Sequence, residues 1–155
     1  AMTGWRLGYN VACAEITRAM SKIHQFSGRM PASFVQYAGV AALEGPQDAI
    51  SEMVEIYKKR RDMLFDGLQG VSGVSCPHPE GAFYIFVDAR ETGLDSWTLA
   101  KQLLEVGGVM TTPGATYGTQ GEGHLRLSYS CDSEQLTKCI SGLRFGLEQL
   151  SSRNV

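Results

Sequence analysis

Arg126 stands inside HLRLSYS (124–130), directly after the glycine-rich run PGATYGTQGEG (113–123). The segment alternates, so Leu125, Leu127 and Tyr129 share one face of a predicted strand while Arg126 and Ser128 share the other. A guanidinium fixed on a strand offers a rigid planar fork that grips a carboxylate through two parallel hydrogen bonds. A second arginine, Arg6, lies in AMTGWRLGY between Gly4 and Gly8. Residue type alone leaves both open to a plainer role, as a surface residue or an ion-pair partner. The glycine run invites a phosphate-binding reading. That chemistry needs a strand, then glycines, then the start of a helix whose free N–H groups meet the anion. Here the glycines lead into a strand and no Gly-Lys-Ser or Gly-Lys-Thr follows, so no nucleotide site is expected.

Other reactive side chains are dispersed. Cys13, Cys76, Cys131 and Cys139 make no Cys-x-x-Cys pair and sit in apolar segments, which predicts reduced thiols rather than disulfides or a zinc site. His24, His78 and His124 are too scattered for a ligand cluster, so no metal is expected. Lys22, Lys58, Lys59, Lys101 and Lys138 all fall on predicted helices and read as solvated. The basic run YKKRRD (57–62) spans about one helical turn, points to all sides and reads as a solvated helix face.

The elements that hold these residues follow from periodicity and punctuation. Ile16, Ala19, Met20 and Ile23 have helical spacing within 12–26, and SGRMP (27–31) breaks it. Pro31 suits the first turn of a second helix running to about Gly45, and Pro46 that of a third, 46–70. The third helix carries a stripe of Ile50, Met53, Val54, Tyr57, Leu64 and Leu68 and stops at Gly70. VSC and then GAFYIFVDA (81–89) read as β-structure. DSWTLAKQLLEVGG (95–108) reads as a helix opened by Asp95 and closed by a glycine pair, and VMTTPG starts as a short strand. The last helix, 132–150, has a capping-box pattern in Asp132 and Gln135 and an apolar face of Leu136, Cys139, Ile140, Leu143 and Leu147. Long helices first, then strands mixed with two more helices, predict an α/β chain with helices layered on a small sheet.

Composition sets the outer limits. The chain has 155 residues, enough to bury a real core. A net charge of -2 gives no electrostatic footprint for nucleic acid or an acidic membrane. No apolar run approaches a membrane span and no basic-then-apolar leader opens the chain, which predicts a cytoplasmic protein with neither nucleic-acid nor membrane partners.

Taken together, AMTGWRLGY, PEGAFYIF, TPGATYG and EGHLRLSYS occur in the order and spacing found in fold-type I pyridoxal-phosphate aminotransferases. The chain resembles the C-terminal portion of that family, in its aspartate and aromatic aminotransferase branch, over nearly all its length. The resemblance implies that residues 1–30 finish a large cofactor-binding domain and begin an interdomain helix, and that 31–155 form an α+β small domain. It implies that Arg6 binds the cofactor phosphate. Arg126 would hold the α-carboxylate of the amino-acid substrate, and Gly81 would lie close to that substrate, where a side chain would intrude.

The family's Schiff-base lysine falls eight residues before the phosphate arginine, which places it upstream of Ala1. No catalytic residue is therefore expected within the chain, and the chain alone is expected to be inactive and not to bind the cofactor stably. The whole protein would transfer an amino group from an L-amino acid to a 2-oxo acid as a homodimer, completed by an N-terminal large domain. Arg29 reads as a surface residue, with a loop near a neighbouring subunit as the alternative the resemblance offers. A carbon–sulfur β-lyase or an aminocyclopropane-carboxylate synthase on the same scaffold shares these arginines, and a non-catalytic interaction module is the alternative from another class.

Overall fold

The structure, a computed structural model, describes residues 2–28 and 30–151, so Ala1 and the expected role of Arg29 lie outside the described residues. The chain divides into two compact units, Ala1–Ala49 and Ile50–Val155.

In the first unit a short 3-10 turn, Thr3–Trp5, precedes helices α1 (Ala14–Ser27) and α2 (Ser33–Glu44). α1 has the expected spacing, but none of its residues is buried; Ile16, Met20, Ile23 and Phe26 are all exposed. α2 buries only Val35 and Gly39. Leu7 lies where a Cβ on Gly39 would stand, so a glycine there lets the N-terminal segment lie on the helix. Both prolines differ from expectation by standing just outside the helices. The Pro31 carbonyl accepts a bond from Gln36 Nε2 at 2.9 Å, and α2 begins at Ser33. Beyond Pro46, Gln47 turns its side chain back onto the Ala42 and Gly45 carbonyls, closing α2 before the next helix starts at Asp48.

The second unit holds most of α3 (Asp48–Leu68), strand β1 (Tyr84–Asp88), helix α4 (Ser96–Gly107), the short strand β2 (Thr112–Pro113), strand β3 (His124–Ser128) and helix α5 (Ser133–Ser151). The sheet order is β1-β3-β2, antiparallel throughout. This is the expected α/β arrangement. The expected strand at VSC reduces to one reciprocal bridge between Ser75 and Asp88.

Caps explain the helix ends. The Asp95 carboxylate accepts from the Trp97 and Thr98 N–H groups at 3.1 and 2.9 Å, and Gly108 stops α4 at a φ of 66°. Asp132 accepts from the Gln135 N–H at 2.8 Å at the start of α5. One sheet face builds the core: Ile85, Val87, Leu125 and Leu127 cluster with Leu64 and Leu68 of α3, Leu99 and Leu103 of α4, and Leu136, Leu143 and Leu147 of α5. In α3 only Leu64 and Leu68 of the expected stripe are buried. α4 and α5 meet backbone to backbone: a Cβ on Gly107 would strike the Gly142 carbonyl, and one on Gly142 the Gly107 carbonyl.

The basic run on α3 is only partly the solvated face expected. Lys58 and Lys59 are exposed, whereas Arg61 pairs with Asp62 at 2.7 Å and reaches the Pro79 carbonyl at 3.3 Å. His78 joins the same carboxylate at 3.1 Å. The four cysteines are free thiols.

Candidate functional site

The outer sheet face carries the polar chemistry. Antiparallel register places Phe86, Arg126 and Thr112 side by side across β1, β3 and β2, on the face opposite the core. Arg126 is half-buried there without an acidic partner among the described residues. Its Nε–H is buried and meets no acceptor among the described residues, and its bond from Nη2 to Thr112 Oγ1 is long at 3.4 Å. What surrounds the guanidinium is aromatic: the Tyr84 and Tyr117 ring centroids each lie 5.4 Å from its central carbon. Both are within the range of a cation–π attraction.

The one acid on this face of β1 and β3 is Asp88, and it is engaged elsewhere. Its carboxylate takes both oxygens' worth of bonding from the Arg90 side chain, at 2.9 and 3.1 Å from Nε, and also accepts the Arg90 N–H at 3.0 Å. Those bonds hold Asp88 far below the usual carboxylate range. Asp88 is thus ionised and already paired, and Arg126 keeps an uncompensated charge.

The glycine-rich run explains how Tyr117 reaches this place. Gly114 and Gly121 pack backbone against backbone; a Cβ on either would strike the other's carbonyl. The run therefore folds back on itself and presents Tyr117 from a 3-10 turn, Gly114–Tyr117. Glu122 ties the run to α4. Its carboxylate accepts from the Ser96 N–H at 2.7 Å, the Ser96 hydroxyl at 3.2 Å and the Gly123 N–H at 2.8 Å, while Ser96 Oγ accepts from the Ala115 N–H at 3.3 Å. The backbone bond from Ser96 leads the causes that lower the Glu122 pKa.

Gly81 lies three residues before Tyr84 and borders a cleft with Tyr57, Arg61 and Tyr129. A Cβ built on it would meet nothing within 4 Å, so no packing within the chain demands glycine there. Its neighbour Ala82 has a φ of 66°, a left-handed conformation that costs a non-glycine residue about 1–2 kcal/mol.

Arg6 belongs to the first unit. It too is left-handed, with a φ of 53°, closing the Thr3–Trp5 turn through its N–H to the Thr3 carbonyl at 3.3 Å. The side chain is exposed and borders an open depression with Met2, Thr3, Leu7 and Gly8, with no acidic partner among the described residues. Arg6 and Ala82 are the only non-glycine residues at positive φ among those described, and they fall in AMTGWRLGY and PEGAFYIF.

The five lysines are all exposed on helices. Among the described residues no group of His, Cys, Asp and Glu could hold a metal ion, and no helix is long and apolar enough to cross a membrane. The Tyr84 and Tyr117 rings, the Ala82 backbone and the Glu122 tie were not found from the sequence. The alternation in 124–130 signalled the face of Arg126, but cross-strand partners and a folded loop leave no local pattern.

The model of the family described as aminotransferase class I and II matches residues 1–143. An aspartate aminotransferase from Pyrococcus horikoshii is 37% identical over 150 residues, covering 96% of this chain and 38% of that protein. An LL-diaminopimelate aminotransferase from Moorella thermoacetica is 36% identical over 143 residues, covering 92% and 36%. Among solved structures, the aromatic aminotransferase from Pyrococcus horikoshii superposes with a TM-score of 0.87 at 34% identity, covering 99% of this chain and 40% of that one. The chain thus spans well under half the length of the relatives it matches.

Proposed function

Because the chain belongs to the class I and II aminotransferases, we propose that it serves a whole protein that moves an amino group from an L-amino acid to a 2-oxo acid with pyridoxal phosphate as cofactor. In this proposal residues 1–30 complete a large domain and 31–155 form the small domain of a cytoplasmic homodimer. The relatives' names support the reaction class, and they span aspartate, LL-diaminopimelate and aromatic enzymes, so the donor amino acid is not part of the proposal.

The observation that carries the reading is the unpaired state of Arg126. A half-buried guanidinium with a buried, acceptor-less Nε–H is costly to keep unless an anion completes it. A carboxylate is the matching group, planar and able to take two N–H bonds at once. Arg126 therefore binds the substrate's α-carboxylate and orients the carbon beside it. Gly81 leaves the approach open, since a Cβ would project into free space at that point. Arg6 presents an exposed, acid-free cation suited to a phosphate.

These residues fit the cofactor and substrate they would hold. When bound, pyridoxal phosphate supplies an electron sink for the carbon that loses its proton. The chain's own part is binding and orientation. Its exposed lysines are poor candidates for the proton-moving, covalently bound amine, which needs a buried site that lowers its pKa.

Calorimetric titration of the chain with 2-oxoglutarate tests the reading. Heat from a saturable site that is lost in Arg126→Gln supports it, and equal binding by the two proteins contradicts it.

A further inference from the structure

Arg126 is held without being neutralised, and its immediate surroundings show how. An acid paired with the guanidinium would compete with any incoming carboxylate. Here the sheet face offers only Asp88, and Arg90 occupies it. Two tyrosine rings replace the acid, each 5.4 Å from the guanidinium carbon. A ring face attracts a cation without cancelling its charge.

Each ring is itself braced by a second aromatic group. Phe83 meets Tyr84 edge-on at 5.5 Å, and Phe86 meets Tyr117 edge-on at 6.2 Å while stacking on His124 at 5.1 Å. The two tyrosines also come from independent supports. Tyr84 is on β1, whereas Tyr117 depends on the Gly114–Gly121 contact and, through Ser96, on Glu122.

We propose that Tyr84 and Tyr117 are positioning residues for carboxylate recognition, holding Arg126 by their ring faces so that its charge stays available to the ligand. The proposal rests on the carboxylate-binding reading of Arg126. It assigns the tyrosines an electrostatic role: phenylalanine should serve in their place, and leucine, apolar but without a ring face, should not.

The test is nitrogen-edited NMR of the intact chain, following the Arg126 Nε–H resonance while succinate is added. The wild-type chain and Tyr117→Phe should bind alike. Tyr117→Leu should bind about 2- to 25-fold more weakly, the span of a cation–π contribution. Tyr84→Leu provides a second variant should Tyr117→Leu fail to give a folded amide spectrum.

Leucine variants that bind succinate as tightly as wild type would overturn the aromatic clamp and leave the Arg126 reading standing. A wild-type Arg126 resonance that never responds to succinate would overturn both.

Discussion

Tyr129 donates its hydroxyl to the Ala82 carbonyl at 3.0 Å, and its own N–H to the Phe83 carbonyl at 2.9 Å. Tyr129 is 1% exposed. It sits just past β3 and three residues beyond Arg126, so the strand that carries the guanidinium also fixes the strained turn that carries Gly81. Burial pushes the Tyr129 hydroxyl pKa up, which keeps it protonated and donating. Tyr129→Phe should remove a hydrogen bond that holds a left-handed residue, at a cost of about 1–2 kcal/mol. Thermal unfolding measures that loss, and amide exchange at 80–84 should accelerate more than exchange in α4 or α5.

The α4–α5 crossing makes a sharper prediction, because it depends on the absence of side chains. A Cβ at residue 142 would strike the Gly107 carbonyl and come within 2.8 Å of Val109 Cγ2. Gly142→Ala should therefore destabilise the second unit by about 1–3 kcal/mol, although alanine favours an isolated helix. Denaturant unfolding of the variant checks it; a stability gain would show that the crossing is loose.

Glu122 should give the second unit an acid-sensitive tie. Its bonds from the Ser96 and Gly123 N–H groups favour the ionised form, so it titrates below its ordinary 4.5 in the folded chain. With the folded value lowered, the stabilisation is full above about pH 4.5 and is lost as pH falls through the folded value. Glu122→Gln should be less stable than wild type at neutral pH, and the difference should shrink on acidification. Chemical unfolding at a series of pH values measures it. A difference that stays constant with pH would mean the carboxylate charge is irrelevant to the tie.

Exposed lysines react with aldehydes without selectivity. Treating the chain with pyridoxal phosphate and then borohydride should spread label over Lys22, Lys58, Lys59, Lys101 and Lys138. Peptide mapping that found one of them labelled stoichiometrically would assign this chain a specific amine and contradict the binding-and-orientation role.

What could be read in the sequence was whatever is encoded locally. Asp95 and Gly108 bound α4 because caps act within one turn, and the alternation around Arg126 set its face because strand period is a local property. Pro31 and Pro46 mark the helix starts only to within a few residues, since Gln36 and Gln47 bond back across them. The order of elements around the glycine-rich run, with its glycines leading into β3, was local enough to read. Its actual work, backbone contact between Gly114 and Gly121, is a tertiary feature. The aromatic setting of Arg126 was hidden for the same reason: Tyr84 and Tyr117 are 33 positions apart in the sequence and meet only through sheet register and a folded loop.

A crystal structure of the chain grown with saturating 2-oxoglutarate tests the central claim most directly. A carboxylate seated on Arg126 through two N–H bonds, with the tyrosine rings still against the guanidinium, is the predicted result. Ligand density elsewhere with Arg126 bare, or a carboxylate of the protein itself occupying the guanidinium, would contradict it.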